Sequence, residues 1–165
     1  MDFRQLFDEH YEPLFRYLVR LTGDADSAAD ATQEAFVRLV ERPPQETQVR
    51  AWLYRVATNV VRDDRRVQRR RLELLRESPD RAPLSDQPLN AEAALEVEDR
   101  RTAVRNALDR LSARDRTVLL MREEGFSHQE IAEAVETTTK SVGSMIARAL
   151  QKLAAELALN PEVRE

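Results

Sequence analysis

Residues 111–153 read LSARDRTVLLMREEGFSHQEIAEAVETTTKSVGSMIARALQKL, and their punctuation separates three helices. Ser112, with Asp115 three residues on, marks a helix start; Val118, Leu119 and Met121 follow, and Gly125 closes the element. Ser127 and Glu130 form a capping box for a short helix containing Ile131, Ala132 and Val135. After Thr137, Thr138 and Thr139, another helix carries Val142, Ile146, Ala149, Leu150 and Leu153. A short helix, a turn and a longer helix make a helix-turn-helix, whose second helix enters the major groove when the unit binds DNA. Its outward side presents Thr139, Lys140, Gly143, Ser144, Ala147, Arg148, Gln151 and Lys152, and includes both lysines of the chain. The near end can reach base edges, whereas Arg148 and Lys152 suit phosphates. The same helical unit also occurs in proteins that never touch DNA.

Upstream, the charge is strongly blocked. The chain is -4 overall, yet residues 50–71 carry eight arginines against Asp63 and Asp64, a net +6. Residues 1–49 hold five basic and ten acidic groups, and residues 72–99 two and eight, so the cationic segment lies between acidic flanks. Arginine outnumbers lysine 24 to 2, which a GC-rich genome explains better than any binding role. The position of the arginines is more telling. In a helix from about Val49 to Leu75, Leu53, Val56, Ala57, Val60 and Val61 form the apolar stripe. Trp52, Arg55, Asn59, Arg62, Asp63, Arg66 and Arg70 project to the other side, with Arg65, Arg69 and Arg71 nearby. Successive arginines release counterions from phosphates, a Trp offers a stacking plane and an Asn can bond a base edge. Those parts suit single-stranded nucleic acid, although any one of these residues taken alone fits an ordinary solvated or packed position.

Two further helices precede this one. Phe7, Tyr11, Leu14, Leu18 and Leu21 recur at helical spacing up to Gly23, with Pro13 expected to kink or split the element. Asp24 can cap the next helix, which runs to about Arg42 and ends at Pro43-Pro44. Ala28, Ala29, Ala35, Phe36, Leu39 and Val40 fall on one side of it. Asp30, Gln33, Glu34, Val37 and Glu41 fall on the other, so an apolar residue sits among acids and amides. Taken alone, that pattern fits a solvated face better than a partner-binding one.

The expectation is an all-α protein of two small helical domains, residues 1–77 and 90–160. A flexible linker at 78–89 joins them. Ser78-Pro79, Ala82-Pro83 and Gln87-Pro88 disfavour helix in the linker, and Asn90 can cap the helix beyond it. No apolar run reaches the roughly 20 residues that span a bilayer, and no basic-then-apolar leader opens the chain, so a cytoplasmic location without membrane insertion is expected. Cysteine is absent, and His10 and His128 stand alone, so no metal and no cofactor is expected. Without a phosphate-cradling glycine loop or a catalytic triad, the reading is not an enzyme. Two non-enzymatic alternatives stay open: a helix-turn-helix regulator acting alone, and an adaptor that binds protein but not DNA.

The stretches Asp30-Ala-Thr-Gln33-Glu34-Ala-Phe36-Val-Arg-Leu39 and Ala51-Trp52-Leu53-Tyr54-Arg55-Val56-Ala57-Thr58-Asn59 resemble domain two of the extracytoplasmic-function sigma factors of bacterial RNA polymerase. Leu111-Ser112-Ala-Arg114-Asp-Arg116-Thr-Val118-Leu119-Leu120, then Gly125-Phe-Ser127-His-Gln-Glu130-Ile131-Ala132, resemble domain four. The likeness implies that Asp30, Gln33, Glu34, Val37 and Glu41 dock on the clamp helices of the largest subunit of core RNA polymerase, reversing the solvated-face reading. It implies that Arg50, Trp52, Arg55, Asn59, Arg62, Asp63 and Arg66, with the loop from Arg42 to Val49, open and read the downstream promoter element. Thr139, Lys140, Ser144, Arg148 and Lys152 become the duplex-reading set for the upstream element. The linker would thread toward the RNA exit path, and an anti-sigma protein becomes an expected partner besides polymerase and promoter DNA. Departures fall in the last block: Glu136 stands where the turn usually has Gly, and Gly143, Met145 and Leu150 replace residues that are commonly basic. A helix-interior Gly costs about 1 kcal/mol relative to Ala, so Gly143 is expected to serve a close backbone approach to DNA or a partner.

Overall fold

Gly23 and Asp24 set the first corner of the chain. Gly23 takes the left-handed conformation at φ 71°, and its N–H donates to the Val19 carbonyl, closing one helix. Asp24 starts the next by accepting from Asp26 N at 3.2 Å and Ser27 N at 3.1 Å. The Ser27 hydroxyl and these two amides hold the Asp24 carboxyl below its ordinary pKa.

The structure, a computed structural model, describes residues 1–76 and 95–159. Its helices are α1 (Phe3–Thr22), α2 (Ala25–Glu41), α3 (Val49–Arg76), α4 (Leu95–Arg110), α5 (Ala113–Glu123), α6 (His128–Val135) and α7 (Thr139–Ala158), with a 3-10 turn at Glu46–Gln48 before α3. The expected linker and the Asn90 cap lie outside the described residues. Among the described residues the regular structure is entirely helical.

α1, α2 and α3 form a bundle around Leu14, Tyr17, Leu18, Leu21, Phe36, Leu39, Leu53, Tyr54 and Val61. α2 lines its inner face with Ala28, Ala31 and Ala35, small side chains that let neighbouring helices approach closely. Polar groups inside are satisfied: Thr32 Oγ1 donates to Ala28 O at 2.6 Å, and the Tyr17 and Thr58 hydroxyls lie 2.9 Å apart. Burial raises the Tyr17 pKa well above its ordinary value. At the open end of the bundle Phe36 meets the rings of Phe3, Phe7 and Tyr11, with Phe7 stacked on Tyr11 at 4.6 Å.

Pro13 does not break α1, contrary to the expectation from its type. Leu14, Tyr17, Leu18 and Leu21 continue the buried stripe past it, so packing outweighs one lost hydrogen bond, and the carbonyl deprived of a donor belongs to exposed Glu9. Val40, expected inside, is 62% exposed because α2 turns its 28/31/35/39 side to the core.

The second unit follows its capping signals. Ser112 Oγ accepts from Asp115 N at 3.1 Å. Ser127 and Glu130 make the reciprocal capping box, at 3.2 Å to Glu130 N and 2.8 Å from Ser127 N. α5, α6 and α7 pack around Val118, Met121, Ile131, Val142 and Ile146, with α4 against α7. The turn between α6 and α7 hinges on Glu136 at φ 55°, the one left-handed non-glycine among the described residues. An L-residue there costs roughly 1–2 kcal/mol that glycine does not. Replacing Glu136 by Gly is therefore expected to leave the protein about 1 kcal/mol more stable than replacing it by Ala, because both variants lose the carboxylate but only one sheds the backbone strain. Urea unfolding of the pair measures the difference.

Candidate nucleic-acid and polymerase interfaces

The two units share one buried junction. Phe126, from the loop between α5 and α6, lies 4.8 Å from the Tyr54 ring, and Tyr54 lies 4.8 Å from Tyr17. The Arg50 guanidinium sits over Phe126 at 4.2 Å and donates to Glu124 O at 2.6 Å. Glu124 also pairs with Arg20 and accepts from the Tyr54 hydroxyl at 3.3 Å. Burial, reinforced by the Glu124 charge, pushes the Tyr54 pKa up to about 12.

Beside these rings, Arg116 is 5% exposed and bonds four backbone carbonyls: Leu108 at 2.8 Å, Leu21 at 2.9 Å, Asp109 at 3.1 Å and Leu111 at 3.2 Å. Arg65 from α3 shares the Leu21 carbonyl at 3.0 Å. One guanidinium thus ties the end of α1 to the end of α4, satisfying helix-terminal acceptors that lack an intrahelical donor. Burial, with the Arg65 charge second, lowers its pKa.

The outer face of α2 is open. Asp30, Gln33, Val37 and Glu41 are exposed, Val37 at 52%, while Glu34 is half-buried and bonded to Arg38 Nε at 2.8 Å. Exposed Val40 adjoins this face, a member that helical periodicity assigned to the core.

The face of α3 is partly engaged. Trp52 is half-buried with its body against the bundle core. Asn59 Oδ1 accepts from Arg62. Arg55 Nη1 lies 3.6 Å from Glu133 Oε2, and Arg62 Nη2 lies 3.9 Å from Glu136 Oε1, both partners belonging to the α6 side of the other unit. Asp63, Arg66, Arg69, Arg70 and Arg71 remain exposed. Arg50, grouped with these by sequence, is instead engaged at the junction. Between α3 and α6 runs a cleft of about 260 Å³, walled by Thr47, Trp52 and Arg55 on one side and Ser127, Gln129 and Glu133 on the other.

On α7, Thr139, Lys140, Ser144, Arg148 and Lys152 are all exposed, forming a continuous outer face. Lys152 Nζ bonds Asp115 Oδ2 at 2.7 Å, and Arg148 Nε reaches Ser144 O at 3.4 Å. Met145 is buried, so its departure from a basic residue is a core substitution and takes nothing from the outer face. A Cβ on Gly143 would meet only His128, at an ordinary 3.8 Å, so internal packing does not demand glycine there.

Residues 6–71 match the family Sigma-70 region 2, and residues 101–153 match Sigma-70, region 4. The chain is 36% identical over 162 residues to the ECF RNA polymerase sigma factor SigL of Mycobacterium tuberculosis, covering 93% of this chain and 89% of that protein. It is 32% identical over 145 residues to the ECF RNA polymerase sigma factor EcfG of Rhodopseudomonas palustris, covering 86% and 77%. In fold it is similar to the sigma factor RpoE from Bartonella quintana, solved with the anti-sigma factor NepR, at TM-score 0.72, 21% identity and coverage of 96% and 98%. The chain belongs to the extracytoplasmic-function sigma factors of the sigma-70 family, which are non-catalytic initiation factors. As such it binds core RNA polymerase and directs promoter recognition, opening and initiation. Among the described residues no helix is long and apolar enough to cross a membrane.

The junction carries its own test. The Tyr54 phenol holds its proton more tightly folded than at its ordinary value of 10.0, so its stabilisation is fully present below pH 10 and lost as pH rises through about 12. Unfolding free energy from urea titrations should fall over that interval more steeply for the wild type than for Tyr54→Phe.

Proposed function

We propose that this sigma factor divides its work among three faces. The α2 face of Asp30, Gln33, Glu34, Val37 and Glu41 docks on core polymerase, with Val37 as the apolar centre of an acidic rim. The α3 face of Trp52, Arg55, Asn59, Arg62, Asp63 and Arg66, with Arg50 at its base, takes the displaced promoter strand. Extruding a base costs a few kcal/mol, which stacking on Trp52 and phosphate neutralisation by the arginines offset. The α7 face of Thr139, Lys140, Ser144, Arg148 and Lys152 reads the upstream element as duplex.

One observation carries the reading. A single three-helix bundle presents an acidic face with a half-exposed valine on α2 and a cationic face with the chain's one tryptophan on α3. Polymerase docking therefore fixes the position of the strand-binding face, converting strand capture into an intramolecular event. Residues 1–77 act as the polymerase- and strand-binding domain and 90–160 as the duplex-reading domain, with 78–89 between them. The protein works in the cytoplasm, is not an enzyme, needs no cofactor or metal, and is restrained by an anti-sigma protein. Family membership supports the first of these statements; the like-folded RpoE, solved with an anti-sigma factor, supports the last.

Run-off transcription with core polymerase and a library of genomic promoters tests the whole reading: initiation should appear at a subset of promoters only when the protein is added, and its absence at every promoter sinks the proposal. Binding to duplex without polymerase, combined with no initiation, would favour a stand-alone regulator.

The faces separate by mutation. Glu34→Arg with Val37→Arg should weaken core binding about ten-fold or more in fluorescence titrations while leaving the circular dichroism melt unchanged. Trp52→Ala with Arg55→Ala should retain core binding but slow promoter opening about ten-fold, since stacking alone is worth roughly 1–3 kcal/mol per base. Unchanged core binding in the first pair would mean the docking face is misassigned.

A further inference from the structure

A cavity of about 370 Å³ lies among α3, α5 and the end of α6. Among the described residues its charged lining is Arg62, Arg65 and Arg66 from α3 and Arg114 from α5, against a single carboxylate, Glu136. The remaining lining is mainly apolar, with Leu21, Val61, Ala134 and Val135. Its two threonine hydroxyls are already bonded, Thr58 to Tyr17 and Thr117 to Ala113 O.

Helix ends hold two of the four guanidiniums. Arg65 Nη2 donates to Leu21 O at 3.0 Å in the last turn of α1, and Arg114 Nη2 donates to Val135 O at 3.2 Å at the end of α6. Capping explains where these two side chains lie but does not neutralise them. Each helix end contributes roughly half a negative charge, so even with Glu136 an excess of about two positive charges remains in the lining. Glu136 is 76% exposed and 3.9 Å from Arg62, which makes it a weak counter-charge. Arg66 makes no hydrogen bond or ion pair among the described residues. Arg116, which shares the Leu21 carbonyl with Arg65, adds a fifth guanidinium nearby. Like charges gathered around a cavity repel unless an anion lies among them.

We propose that this cavity binds a small anion carrying two or more linked phosphates, a nucleoside diphosphate or a bare pyrophosphate group, with the phosphates among Arg62, Arg65, Arg66 and Arg114. Guanidinium forks match phosphate oxygens two at a time. Arg65 and Arg114 are fixed in advance by their carbonyls, so binding orders less side chain. The volume falls at the small end of the range for small-molecule sites, roughly 300–1,000 Å³. A sugar and base would lie on the apolar lining, which separates the nucleotide from pyrophosphate. Arg62 and Arg66 also belong to the proposed strand face, whereas Arg65 and Arg114 lie outside it, so the site does not depend on that assignment.

Calorimetric titration of the full-length protein with ADP, pyrophosphate and AMP in magnesium-free buffer is the test. ADP should bind about ten-fold more tightly than AMP, whose lone phosphate engages fewer arginines. Arg66→Gln/Arg114→Gln should weaken ADP about ten-fold or more, whereas Arg4→Gln/Arg122→Gln, the same charge change at exposed positions outside the cavity, should leave it within about two-fold. At a hundred-fold excess over Kd, ADP should raise the wild-type Tm by about 4 °C or more. Melts without ligand show whether each variant is folded, and Arg66→Gln, which removes no internal contact, should alone weaken ADP about three-fold. ADP binding more tightly than pyrophosphate assigns the site to a nucleotide; equal binding assigns it to the linked phosphates alone. No binding of either up to about 1 mM, or a loss matched by the control pair, overturns the proposal. ADP binding that survives Arg66→Gln/Arg114→Gln but is lost in Trp52→Ala/Arg55→Ala would put the anion on the strand face and overturn it equally.

Discussion

Tyr54 meets Phe126 at the point where two hydrophobic cores, each complete enough to be read separately, become one. The contact joins a helix of the first unit to a loop of the second, and it buries a phenol whose hydroxyl must then find a partner. Glu124 supplies that partner, which brings a carboxylate toward the interior, and Arg20 and Arg50 balance its charge. Arg116 completes the arrangement by satisfying four carbonyls at once. Burying one aromatic pair thus dictates the polar framework around it, because each group taken from water requires another.

Functional geometry depends on this junction. With Phe126 seated on Tyr54, α6 lies along α3, with Glu133 and Glu136 at Arg55 and Arg62 and the outer faces of α2 and α7 in solvent. The forces differ in kind between centre and rim. The centre is buried and aromatic, with a guanidinium bonded to backbone; the rim is two long, exposed ion pairs worth little individually. Such a surface is firm in its alignment and soft at its edge.

The elements themselves were largely legible in sequence because their signals are local. Asp24, Ser112 and Ser127 cap the helices that their types predicted, and the Ser127–Glu130 pair closes in both directions. Gly23 ends α1 in the left-handed conformation that only glycine adopts freely. Where local reasoning failed, packing had the larger energy: Pro13 sits inside a continuous helix, and Val40 faces solvent because alanines at 28, 31 and 35 set the rotation of α2. Met145, which stands where the family commonly has a basic residue, is likewise claimed by the core.

The amino-acid sequence by itself determined the helices, their order, the family, and which side of α2, α3 and α7 carries acidic, cationic or polar groups, since all of these follow from spacing at 3.6 residues per turn and from motif. Tertiary structure alone decided that Arg50 and Arg116 serve the junction, that Glu124 is its half-buried charge, and that Glu133 and Glu136 face the arginines of α3. Those pairings join residues 70 to 104 positions apart, or come from turns whose direction no local signal encodes. They arise only when two apolar surfaces close on each other and every polar group caught between them must find a partner.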